Sequence, residues 1–311
     1  MEKTINLQND FDEKWEKWLE EIEQLPKEIT NISKIKTNYG YIRDFYFPSV
    51  ENTLVYGRLF FHEKSQNKPL IVLYHGLGAV THTEGYEKIA NYWINEGYSV
   101  IGMDSRMQGG KTIDNNRYEY QEYGIVAFNI LTLEKYYSKL LFQDALQLIN
   151  IIDIISEIKN KKLVVTGGSK GGELSLLVAS NSKRVSLCLC DISSGCNLPS
   201  RIKGGHGSYE RIRQLIYDYP HLEKIILNNL SYFDLVNMTH KIKIPVLASV
   251  GSKDIVCPPT FFYDAYQRIN APKELIVYEE YGHGDYDEKH MPKKYEFIKK
   301  HLNIEGELIN G

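Results

Sequence analysis

Six short apolar runs alternate along the chain with segments in which apolar residues recur at helical spacing. The runs occupy residues 69–74, 99–103, 163–166, 185–190, 245–250 and 275–278. The helical segments occupy residues 84–96, 140–157, 173–179, 260–269 and 288–302. Strands that are apolar along their whole length and alternate with helices are typical of a mostly parallel sheet with helices on both faces. The pattern therefore predicts an α/β fold.

Two N-terminal segments precede this alternation. Residues 1–32 are highly charged and place aromatic and aliphatic residues at helical spacing, which predicts an amphipathic helical extension lying over the main body. Residues 33–63 contain two β-prone stretches separated by a turn signal at residues 48–52, which predicts a β-hairpin or meander. The central sheet is therefore expected to carry an N-terminal helix and a β extension.

The alternation is interrupted once, between residues 198 and 239. Helices are predicted there at residues 209–218 and 222–230. An insertion at this place lies over the carboxyl ends of the strands, where it can roof a pocket. Since neither a linker nor an internal repeat divides the chain, we expect a single domain over residues 1–311 with this helical insertion.

Composition excludes several classes of protein. With 42% hydrophobic and 25% charged residues, the chain has the composition of an ordinary globular protein. The balance of 37 basic and 40 acidic residues gives a net charge of −3, so no nucleic-acid partner is expected. The N-terminus has no basic patch followed by an apolar core, and there is no run of about 18 uncharged apolar residues. We therefore expect no membrane association and a cytoplasmic location.

Four cysteines are present, but their spacing does not indicate a metal site. No CxxC pair or Cys/His cluster with zinc spacing occurs, so a structural metal is not expected. No cofactor is expected either. Cys188 and Cys190 lie two residues apart in an apolar run, and we interpret them as small buried hydrophobic residues.

The motif that indicates a catalytic site is the Gly-x-Ser-x-Gly at residues 167–171. It follows a β-branched strand and precedes a helical segment, which is the context of a nucleophile elbow centred on Ser169. The alternative is a structural turn or an anion-binding turn, because glycines before a helix also serve phosphate sites. No second Gly-x-Ser-x-Gly occurs in the sequence.

A serine nucleophile needs a histidine base that is itself oriented by a carboxylate. In the α/β-hydrolase order the acid precedes the histidine, and each follows a later strand. Asp254 and His283 occupy these positions. Asp191 is a rival acid because it also ends a predicted strand, and Asp285 remains a further alternative.

An oxyanion hole is the other requirement of acyl transfer. The fold supplies two backbone N–H groups, one from the residue after the nucleophile and one from the loop after an early strand. These are predicted to be the amides of Lys170 and Leu77. The Lys170 ammonium is interpreted as a pocket or surface charge, because no Ser-x-x-Lys spacing accompanies it.

Several stretches resemble the acetyl xylan esterase and cephalosporin C deacetylase family, carbohydrate esterase family seven. The resemblance covers about residues 35 to 302. Residues 104–109 are similar to the family's Arg-Gly-Gln motif, and residues 165–172 are similar to its Gly-x-Ser-Gln-Gly-Gly motif. Residues 231–234 and 254–260 are also similar to family sequence.

The resemblance implies an α/β-hydrolase fold, a triad of Ser169, Asp254 and His283, and an oxyanion hole formed by the amides of Leu77 and Lys170. It also implies release of acetate from small acetylated sugars without a metal, and a ring-shaped hexamer whose active sites face an interior cavity.

The Arg-Gly-Gln-like motif contributes Arg106 and Gln108. We expect both residues to support the site and its neighbouring loops, since an arginine fork can lock a loop through paired hydrogen bonds. Direct contact with the substrate is the alternative.

Four positions depart from the family pattern. Met107 replaces a glycine, Lys170 replaces a glutamine, Gly284 replaces a glutamate, and Leu77 stands where several members have tyrosine. The triad residues are unaffected by these changes. We therefore predict a serine carboxylesterase that removes acetyl or other short acyl groups from carbohydrates and small alcohols. A peptidase or acyltransferase with the same triad is the alternative, and an inactive binding scaffold is a third hypothesis.

Overall fold

The computed structural model describes residues 6–303 of the chain. Within that range the strands are β1 (Thr30–Lys36), β2 (Gly40–Pro48), β3 (Leu54–His62), β4 (Leu70–Tyr74), β5 (Val100–Met103), β6 (Leu163–Gly168), β7 (Val185–Asp191), β8 (Val246–Gly251) and β9 (Lys273–Tyr278). The helices are α1 (Phe11–Glu23), α2 (Glu84–Asn95), α3 (Tyr137–Ile152), α4 (Lys170–Asn181), α5 (Leu198–Gly204), α6 (Glu210–Asp218), α7 (Glu223–Ser231), α8 (Pro259–Gln267) and α9 (Asp287–Leu302). The first five residues of the predicted N-terminal extension lie outside the described range.

All nine strands belong to one sheet, in the order β1-β2-β3-β5-β4-β6-β7-β8-β9. The pairs from β5 to β9 are parallel, whereas β1, β2, β3 and β5 pair antiparallel. Helices cover both faces, and apolar core residues lie on each side of the sheet. The predicted α/β-hydrolase fold is confirmed, and the β extension is the three-stranded meander β1–β3.

Helix α1 is part of the main hydrophobic core. Its Trp18 ring stacks on Phe233 of the insertion, with ring centroids 5.6 Å apart. The indole nitrogens are satisfied as well: Trp15 Nε1 donates to the Tyr232 carbonyl at 2.9 Å, and Trp18 Nε1 donates to Glu134 Oε2 at 2.9 Å. The charged face of the helix points outward, as its sequence pattern requires. The first and the last third of the chain are thereby packed together.

The insertion between β7 and β8 consists of α5, α6 and α7 joined by short turns. The helices predicted at residues 209–218 and 222–230 correspond to α6 and α7. Helix α5 was not predicted from the sequence, because its seven residues show no apolar repeat. It brings Arg201 against the loop after β8, where Arg201 Nη2 donates to the Val256 carbonyl at 2.6 Å. The insertion therefore contacts one of the loops that carry the predicted site.

Across residues 6–303, no helix combines the length and the apolar character needed to cross a membrane.

Candidate active site

Ser169 lies on a sharp turn between β6 and α4. Its φ of 57° and ψ of −116° are strained for a residue with a side chain, and strain of this kind is typical of a nucleophile elbow. The turn is tight because the chain passes close to β4. A Cβ atom at Gly171 would lie 2.1 Å from the Tyr74 carbonyl oxygen, and one at Gly167 would lie 2.4 Å from the same atom. Glycine is therefore required on both sides of the serine.

Asp254 and His283 lie on the loops after β8 and β9 and form a hydrogen bond. His283 Nδ1 is 2.8 Å from Asp254 Oδ2. The other carboxylate oxygen, Oδ1, accepts the N–H groups of Val256 and Cys257, each at 2.8 Å. Burial acts to raise the pKa of Asp254, but the hydrogen bonds from His283 and from these amides outweigh burial and lower it. The aspartate is therefore a buried, ionised acceptor that fixes the imidazole ring.

Ser169 and His283 line the same pocket, which has a volume of about 340 Å³. In residues 6–303 no hydrogen bond joins the Ser169 hydroxyl to the imidazole; Ser169 Oγ lies 3.9 Å from the Cys257 sulfur. Hydrogen bonds between a nucleophile and its base are often long until a substrate is bound. The arrangement brings the three predicted residues to one edge of the sheet, with the histidine between the acid and the pocket.

The rival acids Asp191 and Asp285 line the same pocket but have other hydrogen-bond partners. Asp191 is bonded to Lys294, and its Oδ1 lies 2.9 Å from His290 Nε2 and accepts the Ser249 hydroxyl at 2.6 Å. Asp285 makes no hydrogen bond to the site histidine within the described part of the chain. The carboxylate bonded to that histidine is the one on the β8 loop.

The two predicted oxyanion donors belong to the start of α4 and to the loop after β4, and neither residue is among those that line the pocket. Lys170 is the first residue of α4, so its N–H has no partner within the helix. Leu77 lies in the loop between β4 and α2, which is held at two points. Gly78 N–H donates to Gln108 Oε1 at 2.9 Å, and His75 Nε2 accepts the Ser105 N–H at 3.0 Å.

His75 is a structural residue of this loop. Burial lowers its pKa, so the ring is neutral. Its Nδ1 donates to the Gly76 carbonyl at 2.8 Å, because the other nitrogen accepts the Ser105 amide. The ring links the ends of β4 and β5.

The Lys170 side chain departs from the expectation of a pocket or surface charge. It is buried, and its ammonium lies 2.8 Å from Glu173 Oε1, one helical turn further on. Glu173 also accepts the Ser194 hydroxyl. The expectation was wrong because α4 is enclosed by neighbouring elements at its N-terminus, so that the lysine reaches a buried carboxylate and not solvent.

Arg106 and Gln108 attach the loop after β5 to α3. Arg106 Nε and Nη2 donate to the two oxygens of Asp144, each at 2.7 Å. Gln108 Nε2 donates to the Tyr137 hydroxyl at 2.9 Å, and that hydroxyl donates to the Arg106 carbonyl at 3.0 Å. Neither Arg106 nor Gln108 lines the pocket. Between them, Met107 has a φ of 59°, in the left-handed region that favours glycine.

Sequence reasoning missed two residues at the site, Cys257 and Arg201. The Cys257 sulfur lies 3.3 Å from Arg201 Nη2, next to the serine and the histidine. Burial acts to lower the pKa of His283, but the hydrogen bond to Asp254 and the neighbouring Cys257 outweigh burial and raise it to about 9. The position of Cys257, three residues after Asp254, is a sequence signal that could have indicated it. Arg201 lies on α5, which was not predicted, and no sequence signal indicated it.

The mostly parallel nine-stranded sheet, with a serine on a strained turn and a histidine–aspartate pair on later loops, defines an α/β-hydrolase. The chain belongs to the acetyl xylan esterase (AXE1) family, which it matches over residues 2–301. The family resemblance inferred from the motifs is therefore confirmed.

Three known proteins illustrate this relationship. The chain is 25% identical over 282 residues to acetyl esterase Axe7A of Xylanibacter ruminicola, a match that covers 86% of the chain and 62% of that relative. The fold is similar to that of an acetyl xylan esterase from Paenibacillus sp. R4, with a TM-score of 0.85, 26% identity and 95% coverage of each chain. It is also similar to acetyl xylan esterase 1 from Thermoanaerobacterium sp. JW/SL YS485, with a TM-score of 0.83, 24% identity and coverage of 93% and 94%. The chain spans less than two thirds of the length of the Xylanibacter relative.

Proposed function

We propose that the protein is a serine esterase that removes acetyl and other short acyl groups from carbohydrates and small alcohols. The observation that carries this proposal is the 2.8 Å hydrogen bond between Asp254 and His283 beside a pocket that Ser169 also lines. A serine on a strained elbow, a histidine that lines the same pocket and a buried carboxylate bonded to that histidine form the arrangement that activates a hydroxyl for attack on a carbonyl carbon.

In the proposed reaction the Ser169 oxygen attacks the ester carbonyl while His283 Nε2 takes the hydroxyl proton. The imidazolium is stabilised by Asp254, which accepts the Nδ1–H and fixes the tautomer. Collapse of the tetrahedral intermediate breaks the ester C–O bond, and His283 returns the proton to the leaving alcohol. Water then attacks the acyl-enzyme by the same route and releases acetate and free serine.

The negative charge of the intermediate is assigned to the N–H groups of Leu77 and Lys170. One such donor contributes on the order of 3 kcal/mol to transition-state binding. Two observations support this assignment. The Gly78 N–H donates to Gln108, which fixes the loop that contains Leu77, and Lys170 is the first residue of α4. We assign Arg106 and Gln108 to support of the site.

A small acyl group and a small alcohol suit the pocket. Its volume of about 340 Å³ lies near the lower limit for small-molecule sites, and Tyr86, Ile89 and Ile192 contribute apolar walls. We infer that acetylated monosaccharides and short oligosaccharides are the substrates, with cephalosporin C as a second acetyl ester to test. The name of the Paenibacillus protein supports this choice of substrate class.

The nucleophile is tested by Ser169→Ala, with Ser180→Ala, in the helix α4 that follows Ser169, as a matched control. Release of acetate should fall by a factor of roughly 10³ or more in Ser169→Ala, because the loss of a triad serine removes the covalent route. A fluorophosphonate should label the parent and Ser180→Ala but not Ser169→Ala. Acetate release by Ser169→Ala at the parent rate would refute the proposal.

The substrate class is tested by acetate release from acetylated xylose, xylo-oligosaccharides and cephalosporin C. Parallel assays on an aminoacyl amide and on transfer to an acceptor alcohol distinguish an esterase from a peptidase or acyltransferase. Efficient cleavage of the amide, with slow acetate release, would contradict the proposal.

A hexameric assembly and a cytoplasmic location complete the proposal. Light scattering of the purified protein tests the first, and fractionation of the native host tests the second. A monomer in solution would contradict the hexamer without affecting the chemistry.

A further inference from the structure

The Cys257 thiol takes no part in the proposed mechanism, although it lies within the site. Its sulfur is 3.9 Å from Ser169 Oγ. Potential ligand atoms of Asp254, Cys257 and His283, one from each, all lie within 4.8 Å of one another. A thiol and an imidazole at such a distance can share one cation. We propose that this cluster is a binding site for thiophilic divalent cations of the Zn²⁺ class, and that occupation of the site inhibits the enzyme reversibly.

The aspartate of the cluster acts as the orienting group and not as a ligand. Its Oδ2 accepts from His283 Nδ1, and its Oδ1 accepts two backbone amides. A histidine that binds zinc almost always donates its other ring N–H to a carboxylate or carbonyl, which fixes the tautomer and raises the basicity of the free nitrogen. The pair of Asp254 and His283 has this arrangement. The ligands are therefore the Cys257 sulfur and His283 Nε2.

The chemistry of the two ligands selects the cation. Thiolate and imidazole favour Zn²⁺ and similar borderline-soft ions, whereas Mg²⁺ and Ca²⁺ prefer oxygen ligands. Structural zinc sites use four protein ligands. Two protein ligands, with water in the remaining positions, make an open site from which the ion exchanges. The inferred site is therefore inhibitory and is neither structural nor required for the reaction.

The charged residues around the cluster have opposite effects on cation binding. The Arg201 guanidinium, 3.3 Å from the sulfur, repels a cation. The Asp254 carboxylate, hydrogen-bonded to His283, offsets part of this repulsion. We therefore expect weaker binding than at a structural zinc site.

Access comes from the pocket side. Cys257 and Asp254 are buried, but 27% of the His283 side chain is exposed, and the histidine lines the pocket. An ion entering there would bind the nitrogen lone pair that takes the proton from Ser169. The inhibition rests on the proposed function, whereas the binding does not.

Binding is tested without turnover in Ser169→Ala, whose metal ligands are intact. Titration with Co²⁺ should produce a thiolate-to-cobalt charge-transfer band that Zn²⁺ abolishes. The band should be lost in Ser169→Ala/Cys257→Ser and kept in Ser169→Ala/Cys190→Ala, a matched control at a buried cysteine in β7. Absence of the band in Ser169→Ala, or its persistence after Cys257→Ser, would overturn the site. Because no catalysis is measured, failure of the esterase proposal leaves this result unaffected.

Inhibition is tested on the active enzyme by acetate release at increasing Zn²⁺ concentration, followed by a chelator. Removal of an outer-shell partner costs a metal site about 10–100-fold in affinity, so loss of the sulfur ligand should raise the inhibitory concentration by at least about tenfold. Cys257→Ser should show this shift, and Cys190→Ala should not. An equal sensitivity of Cys257→Ser and the parent would overturn the proposal, as would inhibition that the chelator does not reverse.

Discussion

The buried ion pair between Arg106 and Asp144 holds the loop after β5 against α3, and we predict that Arg106→Leu is strongly destabilising. Both side chains are 0% exposed, and two hydrogen bonds of 2.7 Å join them. Without the arginine, Asp144 would keep the Ser49 hydroxyl as its only side-chain hydrogen-bond donor among residues 6–303. An uncompensated buried charge costs about 3–5 kcal/mol. Burial also raises the pKa of Asp144, so the carboxyl group can take up a proton, and we expect a loss near the lower end, about 3 kcal/mol.

The double variant Arg106→Leu/Asp144→Leu separates the charge effect from packing. Replacing a whole buried pair with apolar residues is often close to neutral, so the double variant should be more stable than Arg106→Leu. Asp114, 3.6 Å from the guanidinium, keeps the hydrogen bond from Tyr118 in both variants. The assay is urea unfolding, with the midpoint and the slope m compared between variants. A cost below about 1 kcal/mol for Arg106→Leu, or a double variant no more stable than the single one, would refute the reasoning.

Three further predictions concern the oxyanion loop, the base and helix α1. Gln108→Ala removes the acceptor of the Gly78 amide and should lower kcat by roughly tenfold with little change in KM; steady-state kinetics that show a raised KM alone would indicate substrate contact instead. The catalytic base must be neutral, and the pKa of His283 is raised to about 9, so kcat/KM should increase with pH up to about 9. The pH profile should move to lower pH in Cys257→Ala, because Cys257 helps to raise this pKa. A plateau of kcat/KM already reached at neutral pH would contradict the prediction. Burial acts to raise the pKa of Glu134, but hydrogen bonds from the Trp18 indole of α1 and from two lysines outweigh burial and lower the pKa to about 2. The contribution of Glu134 to folding stability is therefore fully present above its unfolded pKa of 4.5 and is lost as the pH falls toward 2. The side chain is 40% exposed, so Glu134→Gln should cost only about 1 kcal/mol in urea unfolding at neutral pH, and a difference from the parent that persists in acid would count against the linkage.

The strands and most helices could be predicted because burial imposes their pattern. The strands from β4 to β8 are apolar along nearly their whole length, since helices cover both faces of the sheet there. Boundaries were harder to predict. Helix α3 ends at Ile152, although the apolar repeat continues to residue 157. The repeat continues because Ile155 and Ile158 still pack into the core from irregular turns after the helix.

Long-range partners could not be read from the sequence. The spacing of the tryptophans in α1 predicts which face is buried, but not that Phe233, more than two hundred residues away, packs against Trp18. Helix α5 is a different case, since it begins at a local cap in which the Asn197 side chain accepts the Ser200 amide. A cap without an apolar repeat gives too weak a signal to predict a short helix.

The position of each aspartate relative to its strand explains which of them meets His283. Asp191 is still within the ladder of β7, where it pairs with Gly168 and Ser249. Side chains in a ladder stand perpendicular to the sheet, which here directs Asp191 into the layer of α9. Asp254 lies three residues beyond β8, in a loop whose amides turn back and bond its carboxylate. The side chain of a loop residue is not held perpendicular to the sheet, so it can extend along the edge of the sheet. Chain order alone could not distinguish Asp191 from Asp254, because both follow an apolar run. The two differ in that the hydrogen bonding of the strand has ended before Asp254 but still includes Asp191.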